Sequence, residues 1–153
     1  MAGKTDPRSL LYHLDAVKKD KRVFEDAFQS VSRMILDAGI RKVTVKGKTT
    51  YQFDLFSQGK KHLVGMFNEI NSFVSFVKDA SEGGSSREMA FVLVGEPGNG
   101  KTFFVEYLCA RYRDFLMIPR NKKYTFRFKG LEALGGFGKI QSIESQTYED
   151  PMI

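Results

Sequence analysis

The chain has 153 residues and a mass of 17.4 kDa, the size of one ordinary domain or of a short domain with an appendage. Its composition, 42% apolar and 27% charged, excludes a fibrous or wholly disordered protein. The formal charge of +6 is mild for this length, so nucleic acid is not expected as the main partner. The single cysteine excludes an internal disulfide, and the two histidines are too far apart in sequence to predict a zinc site.

The apolar runs of the sequence are far shorter than the roughly 20 residues that span a bilayer. The first residues carry charge but are not followed by the apolar segment of a secretory signal. We therefore expect a cytoplasmic protein without a membrane partner.

The first half of the chain alternates helical and extended patterns. Apolar residues at three- and four-residue steps predict two helices within residues 9–39, separated by the charged run 18–22. Gly39 is expected to cap the second helix in the left-handed conformation, because glycine has no Cβ to clash there. Alternation over residues 43–56 predicts a small hairpin, and a strong helical period covers residues 60–80.

The second half begins with a polar loop rich in serine and glycine at residues 81–87. Six consecutive apolar residues at 89–94 predict a strand buried on both faces, as in a parallel sheet covered by helices. A helix is predicted from about residue 100 to 113, and alternating aromatic residues over 123–129 predict a further strand. This order of elements is typical of an α/β fold.

The turn between the predicted strand and helix fits the phosphate-binding pattern G-x-x-x-x-G-K-[ST] at every required position. Because a strand precedes the match and a helix follows it, we predict a true P-loop rather than a chance match. A solvated lysine after an ordinary turn is the alternative, but a cation at the positive end of a helix is electrostatically unfavourable. The predicted cofactor-binding residues are Gly95, Glu96, Pro97, Gly98, Asn99, Gly100, Lys101 and Thr102.

Each residue type in this loop has a physical role toward a nucleotide. The glycines let consecutive main-chain N–H groups converge on a phosphate, and the following helix adds the positive end of its dipole. The ammonium of Lys101 is expected to reach the β- and γ-phosphates. The hydroxyl of Thr102 is the predicted ligand of Mg²⁺, so the expected cofactors are ATP and Mg²⁺.

Basic and aromatic residues are interleaved over residues 111–129, with Asp114 as the only acid. Such a stretch is able to bind single-stranded nucleic acid. The aromatic spacing, however, is that of the buried face of a strand, so we favour core packing with a solvated basic face. The basic residues are Arg111, Arg113, Arg120, Lys122, Lys123, Arg127 and Lys129.

Hydrolysis of ATP by a P-loop protein also needs an apolar strand that ends in an acidic residue. None of the acidic residues after Thr102 follows such a strand. We therefore expect the chain to be the N-terminal portion of a longer ATPase or kinase, and no catalytic residue is identified in it.

The loop resembles the Gly-Pro-Pro-Gly-x-Gly-Lys-Thr loop of AAA-type ATPases. Its flanks resemble those of the PrkA-type bacterial serine protein kinases, well over residues 50–153 and loosely over the N-terminal helices. Three segments carry this second resemblance: Leu-Val-Gly-Met-Phe-Asn-Glu-Ile at 63–70, Lys-Tyr-Thr-Phe-Arg-Phe-Lys-Gly-Leu at 123–131, and Ile-Gln-Ser-Ile-Glu-Ser-Gln-Thr-Tyr-Glu-Asp-Pro-Met at 140–152.

The resemblance implies a partial AAA-type P-loop NTPase domain with a parallel sheet over residues 59–153, preceded by a helical region with a small hairpin over residues 1–58. It implies a protein substrate for the full-length serine kinase and leaves a homo-oligomer open. Two alternative functions also stay open: an AAA-type remodelling or loading ATPase without kinase activity, and a truncated fragment that is inactive.

Overall fold

The computed structural model describes residues 8–45, 47–57, 63, 66–136 and 138–146. The chain divides into two compact units. The terminal unit combines Met1–Phe24 with Pro119–Ile153, and the central unit is Glu25–Ile118. The domain boundary expected near residue 58 is a different division and stays a prediction.

The central unit contains most of the regular structure. Its described elements are α2 (Ala27–Ala38), β1 (Ile40–Val45), β2 (Lys48–Phe53), α3 (Asp54–Ser57), α4 (Phe67–Ser81), a 3₁₀ turn (Ser85–Glu88) and α5 (Lys101–Met117). In the terminal unit they are α1 (Leu10–Lys19), β3 (Arg127–Lys129), β4 (Ser142–Glu144) and 3₁₀ turns at Lys21–Phe24, Pro119–Asn121 and Leu131–Leu134.

The two helices predicted within residues 9–39 are confirmed as α1 and α2. Helix α2 begins with a capping box, in which Asp26 and Gln29 each accept a hydrogen bond from the other's main-chain N–H. Gly39 caps its C-terminus with a φ of 117° and a ψ of 148°. The φ is positive, as expected of glycine, but the pair of angles lies outside the left-handed helical region.

The predicted hairpin is also confirmed, but it spans residues 40–53, and residues 54–56 of the prediction belong to α3. Strands β1 and β2 pair antiparallel, with Val43 opposite Thr50. The helical period predicted over residues 60–80 corresponds to α4, which begins at Phe67. Residues 60–62, 64 and 65 of that prediction lie outside the described residues, as do residues 58 and 59 before it. The described helices include none that is long and apolar enough to cross a membrane.

The hydrophobic core of the central unit lies between α2, α3, α4 and α5. Ile35, Phe56 and Phe104 are each at most 2% exposed. The rings of Phe56 and Phe104 stack with centroids 5.9 Å apart, and Phe73 of α4 meets Phe104 edge-on at 5.2 Å. These contacts fix the first turns of α5, and therefore the helix end to which the glycine-rich loop is attached.

The predicted fold class, a partial AAA-type P-loop NTPase with a parallel sheet, is wrong. The described residues form two separate two-stranded sheets, both antiparallel. The apolar run at 89–94, predicted as the central strand, forms no strand, and Val92 and Val94 are 71% and 89% exposed. An apolar run becomes a doubly buried strand only where neighbouring strands pair with it and helices cover both faces. No described strand lies beside this run, and its Phe91 packs instead against Phe73 and Phe76.

The strand predicted over residues 123–129 is reduced to β3, and its aromatic face is not buried. Tyr124 is 43% exposed and Phe128 is 58% exposed. The favoured interpretation as core is therefore wrong for Tyr124 and Phe128, whereas Phe115 of the same basic and aromatic stretch is buried as expected. The reason is that β3 pairs only with β4 among the described strands, so no second layer covers the ribbon.

Candidate functional site

The eight predicted binding residues lead directly into α5, with a turn at residues 97 and 98 and a bend at residues 99 and 100. The helix begins at Lys101, so the last two loop residues, Lys101 and Thr102, occupy its first turn. Tyr107, two turns into the same helix, donates a hydrogen bond from its phenol to the carbonyl oxygen of Leu55 at 2.6 Å. Together with the buried ring of Phe104, this bond anchors the helix that presents the loop.

Two glycines give the loop its shape. Gly98 and Gly100 have φ angles of 88° and 77°, which residues with a side chain rarely adopt. Gly100 occupies the N-cap position of α5 in the left-handed conformation, and its carbonyl accepts the Phe104 N–H at 2.8 Å. Gly100, the second required glycine of the G-x-x-x-x-G-K-[ST] pattern, therefore begins the helix, whereas Gly98 stands at a position that the pattern leaves open.

No side chain caps the N-terminus of α5, and its first turn contains no acidic residue. The first N–H groups of a helix have no partner inside the helix, and they carry the positive end of its dipole. Lys101, the first residue of α5, adds its ammonium group at the same end of the helix. The helix end and the ammonium both attract an anion, whereas the carboxylate of Glu96 in the same loop opposes it.

The Lys101 side chain is turned back over the loop. Its Nζ donates hydrogen bonds to the carbonyl oxygens of Gly95 at 2.6 Å and Glu96 at 2.7 Å. The lysine is half-buried, and the two bonds link the start of the loop to the start of the helix. The ammonium is thereby held next to the main chain of the loop instead of extending into solvent.

The donor set of the loop fits a polyphosphate bound with Mg²⁺. It consists of main-chain N–H groups, one ammonium and the hydroxyl of Thr102, which is exposed. A Cβ built on Gly98 would meet nothing within 4 Å, so the main chain there is open to close approach by a ligand. Among the described residues, no group of three or more His, Cys, Asp or Glu is placed to hold a metal ion. The assignment of Thr102 to Mg²⁺ stays a prediction.

The structure adds one neighbour that the sequence pattern does not indicate. Met66, the residue before α4, places its Sδ 3.6 Å from the position that a Cβ on Gly100 would occupy. The start of α4 therefore lies beside the start of α5. Met66 and Gly100 are 34 positions apart in the sequence. Apolar periodicity predicts which residues share a face of one helix or strand, so it does not predict this contact.

Comparison with models of protein families, with curated proteins and with solved structures finds no match to this chain. The similarity to PrkA-type kinases stays a prediction from the sequence motifs.

Proposed function

We propose that the chain binds Mg·ATP through residues 95–102. The observation that carries the proposal is the position of a complete G-x-x-x-x-G-K-[ST] segment at the uncapped N-terminus of a 17-residue helix. The proposal rests on this loop and helix. It does not invoke the parallel sheet of P-loop NTPases, which the described residues do not form.

The loop would bind the polyphosphate from one side with main-chain groups. The N–H groups of the first turn of α5 would donate to phosphate oxygens, and the dipole of the helix would add to their attraction. Binding would also exchange the contacts of Lys101. Its ammonium leaves the carbonyl oxygens of Gly95 and Glu96 for phosphate oxygens, which carry full negative charge.

Each charge-assisted hydrogen bond contributes roughly 1.5–3 kcal/mol, so several of them support micromolar affinity. Loss of the lysine alone is then expected to weaken binding by roughly tenfold to a hundredfold. Loss of the Thr102 hydroxyl is expected to reduce the part of the affinity that depends on Mg²⁺, with little effect on Mg²⁺-free binding.

Isothermal titration of the chain with Mg·ATP tests the proposal. Lys101→Ala and Thr102→Val are compared with the unsubstituted chain and with Lys42→Ala, which removes an exposed lysine from β1. The proposal predicts weaker binding for Lys101→Ala and unchanged binding for Lys42→Ala. Equal affinity in all four proteins contradicts it.

The finer part of the proposal is that this ATP site belongs to a PrkA-type serine protein kinase of the cytoplasm, where ATP is available. It is supported by the similarity of residues 63–70, 123–131 and 140–152 to that family. Transfer of the γ-phosphate to serine by the full-length protein tests this part. ATP turnover with no phosphoserine formed would favour a remodelling or loading ATPase, and absence of both activities would favour an inactive fragment.

A further inference from the structure

The terminal unit carries the positive charge of the described chain. Its described residues include eleven Lys and Arg but only four Asp and Glu, whereas the central unit has nine Lys and Arg and eleven Asp and Glu. The net charge of the whole chain is modest because the slightly acidic central unit offsets part of the charge of a strongly basic terminal unit. A concentration of one sign in one unit attracts a polyanion of the opposite sign.

Five of these eleven basic residues lie in one short segment. Residues 120–129 contain five basic residues and no acidic one. Arg127 forms an ion pair with Glu144 across the β3–β4 ribbon, so part of its charge is compensated. Lys122 and Lys129, on either side, are exposed to solvent.

Two of the three alternating aromatic rings in the same segment are exposed to solvent. Tyr124 is 43% and Phe128 is 58% exposed, and half-buried Phe126 packs edge-on against Phe128 with centroids 5.3 Å apart. The edge contact leaves a face of Phe128 available. The ring of Tyr124 contacts the ring of His13 edge-on, with centroids 5.8 Å apart and an interplanar angle of 66°. Tyr124 is therefore also held by an edge contact and not by stacking.

We propose that residues 120–129 bind single-stranded nucleic acid, with bases stacked on Tyr124 and Phe128 and phosphates contacted by the flanking cations. At about 3.3 Å per extended residue, Tyr124 and Phe128 are roughly 13 Å apart, so one nucleotide fits between the two unstacked bases that meet these rings. Stacking on aromatic rings beside a basic groove is the usual way in which proteins bind single strands without sequence preference. An acidic polypeptide would satisfy the cations but offers no flat faces to the rings.

This inference replaces the expectation that nucleic acid is not a partner. That expectation depended on the net charge of the whole chain and on burial of the aromatic face. The distribution of charge between the units and the exposure of the rings remove both reasons. The inference is independent of the ATP site, whose residues lie in the central unit.

Fluorescence anisotropy of labelled oligodeoxythymidine and oligouridine, each of about twelve nucleotides, tests the proposal with the whole chain. Tyr124→Leu and Phe128→Leu are each expected to weaken binding at least about fivefold, because each removes one stacking surface. Tyr124→Phe, which keeps the ring, is expected to bind like the unsubstituted chain. Lys122→Ala and Lys129→Ala are each expected to lower the slope of log K against log salt by about 0.7. The two oligonucleotides distinguish DNA from RNA as the preferred strand.

Matched controls come from the hairpin of the central unit. Tyr51→Leu removes a ring that is 48% exposed on β2, and Lys42→Ala and Lys48→Ala remove exposed cations. These variants are expected to leave binding unchanged, and far-UV circular dichroism checks that all variants are folded. The proposal is overturned if folded Tyr124→Leu and Phe128→Leu bind as tightly as the unsubstituted chain. It is equally overturned if polyglutamate of the same charge competes as well as the oligonucleotides do.

Discussion

The phenol of Tyr107 donates a hydrogen bond to the carbonyl oxygen of Leu55 at 2.6 Å, although 52 residues of sequence separate the two. Tyr107 is 5% exposed, so water competes little for this bond. The bond joins α5 to α3 and holds the helix whose first turn contains Lys101 and Thr102. The proposed nucleotide loop therefore depends for its orientation on a contact made two turns away from it.

Removal of this bond should destabilise the central unit. In Tyr107→Phe the Leu55 carbonyl loses its partner while the ring keeps its packing, so we expect a loss of about 0.5–1.5 kcal/mol in the free energy of unfolding. Urea denaturation measures the loss. Tyr51→Phe, at a ring that is 48% exposed, is the control and should change stability little. Equal effects in the two variants would contradict the structural role given to Tyr107.

Gly100 is expected to be intolerant of a side chain for conformational reasons. A Cβ there would make only an ordinary contact with Met66, so space is not the obstacle, but the φ of 77° is costly for alanine. We expect Gly100→Ala to lower the free energy of unfolding by about 1–2 kcal/mol. Gly100→Asn should cost less, because asparagine enters the left-handed region more readily. Identical denaturation midpoints for the two variants and the unsubstituted chain would contradict this account of the loop.

Ser30 is fully buried in α2, and its Oγ has no hydrogen-bond partner within the described part of the chain. A buried hydroxyl without a partner is costly, and alanine is a better helix former. Ser30→Ala should therefore leave stability unchanged or raise it. Ser72→Ala, at an exposed position of α4, measures the gain in helix propensity alone. A clear destabilisation by Ser30→Ala would show that the hydroxyl has a partner.

The turn after α4 should give a small part of the pH dependence of stability. The main-chain N–H of Ser86 donates to the carboxylate of Asp79 at 2.9 Å, and this hydrogen bond lowers the pKa of Asp79 below its ordinary value of 3.8. Because the folded pKa is the lower one, the stabilisation is present above about pH 3.8 and is lost as the pH falls through the folded pKa.

The difference in unfolding free energy between the unsubstituted chain and Asp79→Asn should therefore shrink when the pH is lowered from 6 toward 3. Denaturation at a series of pH values measures it. Glu82→Gln, at the C-cap of the same helix, is the matched control. A difference that stays constant over this range would contradict the assignment of the lowered pKa to Asp79.

Features that depend on neighbouring residues could be predicted from the sequence. Helix α2 and the β1–β2 hairpin follow from apolar spacing and a short turn, and the glycine-rich loop follows from eight consecutive residues. The strand predicted at 89–94 could not be judged in this way, because a doubly buried strand needs partners from distant parts of the chain. The exposure of Tyr124 and Phe128 was missed for the same reason, since alternation indicates a shared face but does not say what covers it.

The candidate site shows the same limit. The pattern located Lys101 and Thr102, because the spacing of a phosphate loop is local. The contacts of Lys101 with Gly95 and Glu96 are also within this short segment. The proximity of Met66 and the anchoring bond of Tyr107, in contrast, arise from the packing of α3 and α4 against α5, which no local period specifies.

Amide chemical shifts of the ¹⁵N-labelled chain, recorded during titration with Mg·ATP, test the central claim most directly. Binding at the loop predicts that the largest shifts occur at the main-chain N–H groups of Gly98, Gly100, Lys101 and Thr102, and that they disappear in Lys101→Ala. Lys42→Ala should keep them. Unchanged loop amides at saturating Mg·ATP, or largest shifts in a different part of the chain, would contradict the claim that residues 95–102 bind the nucleotide.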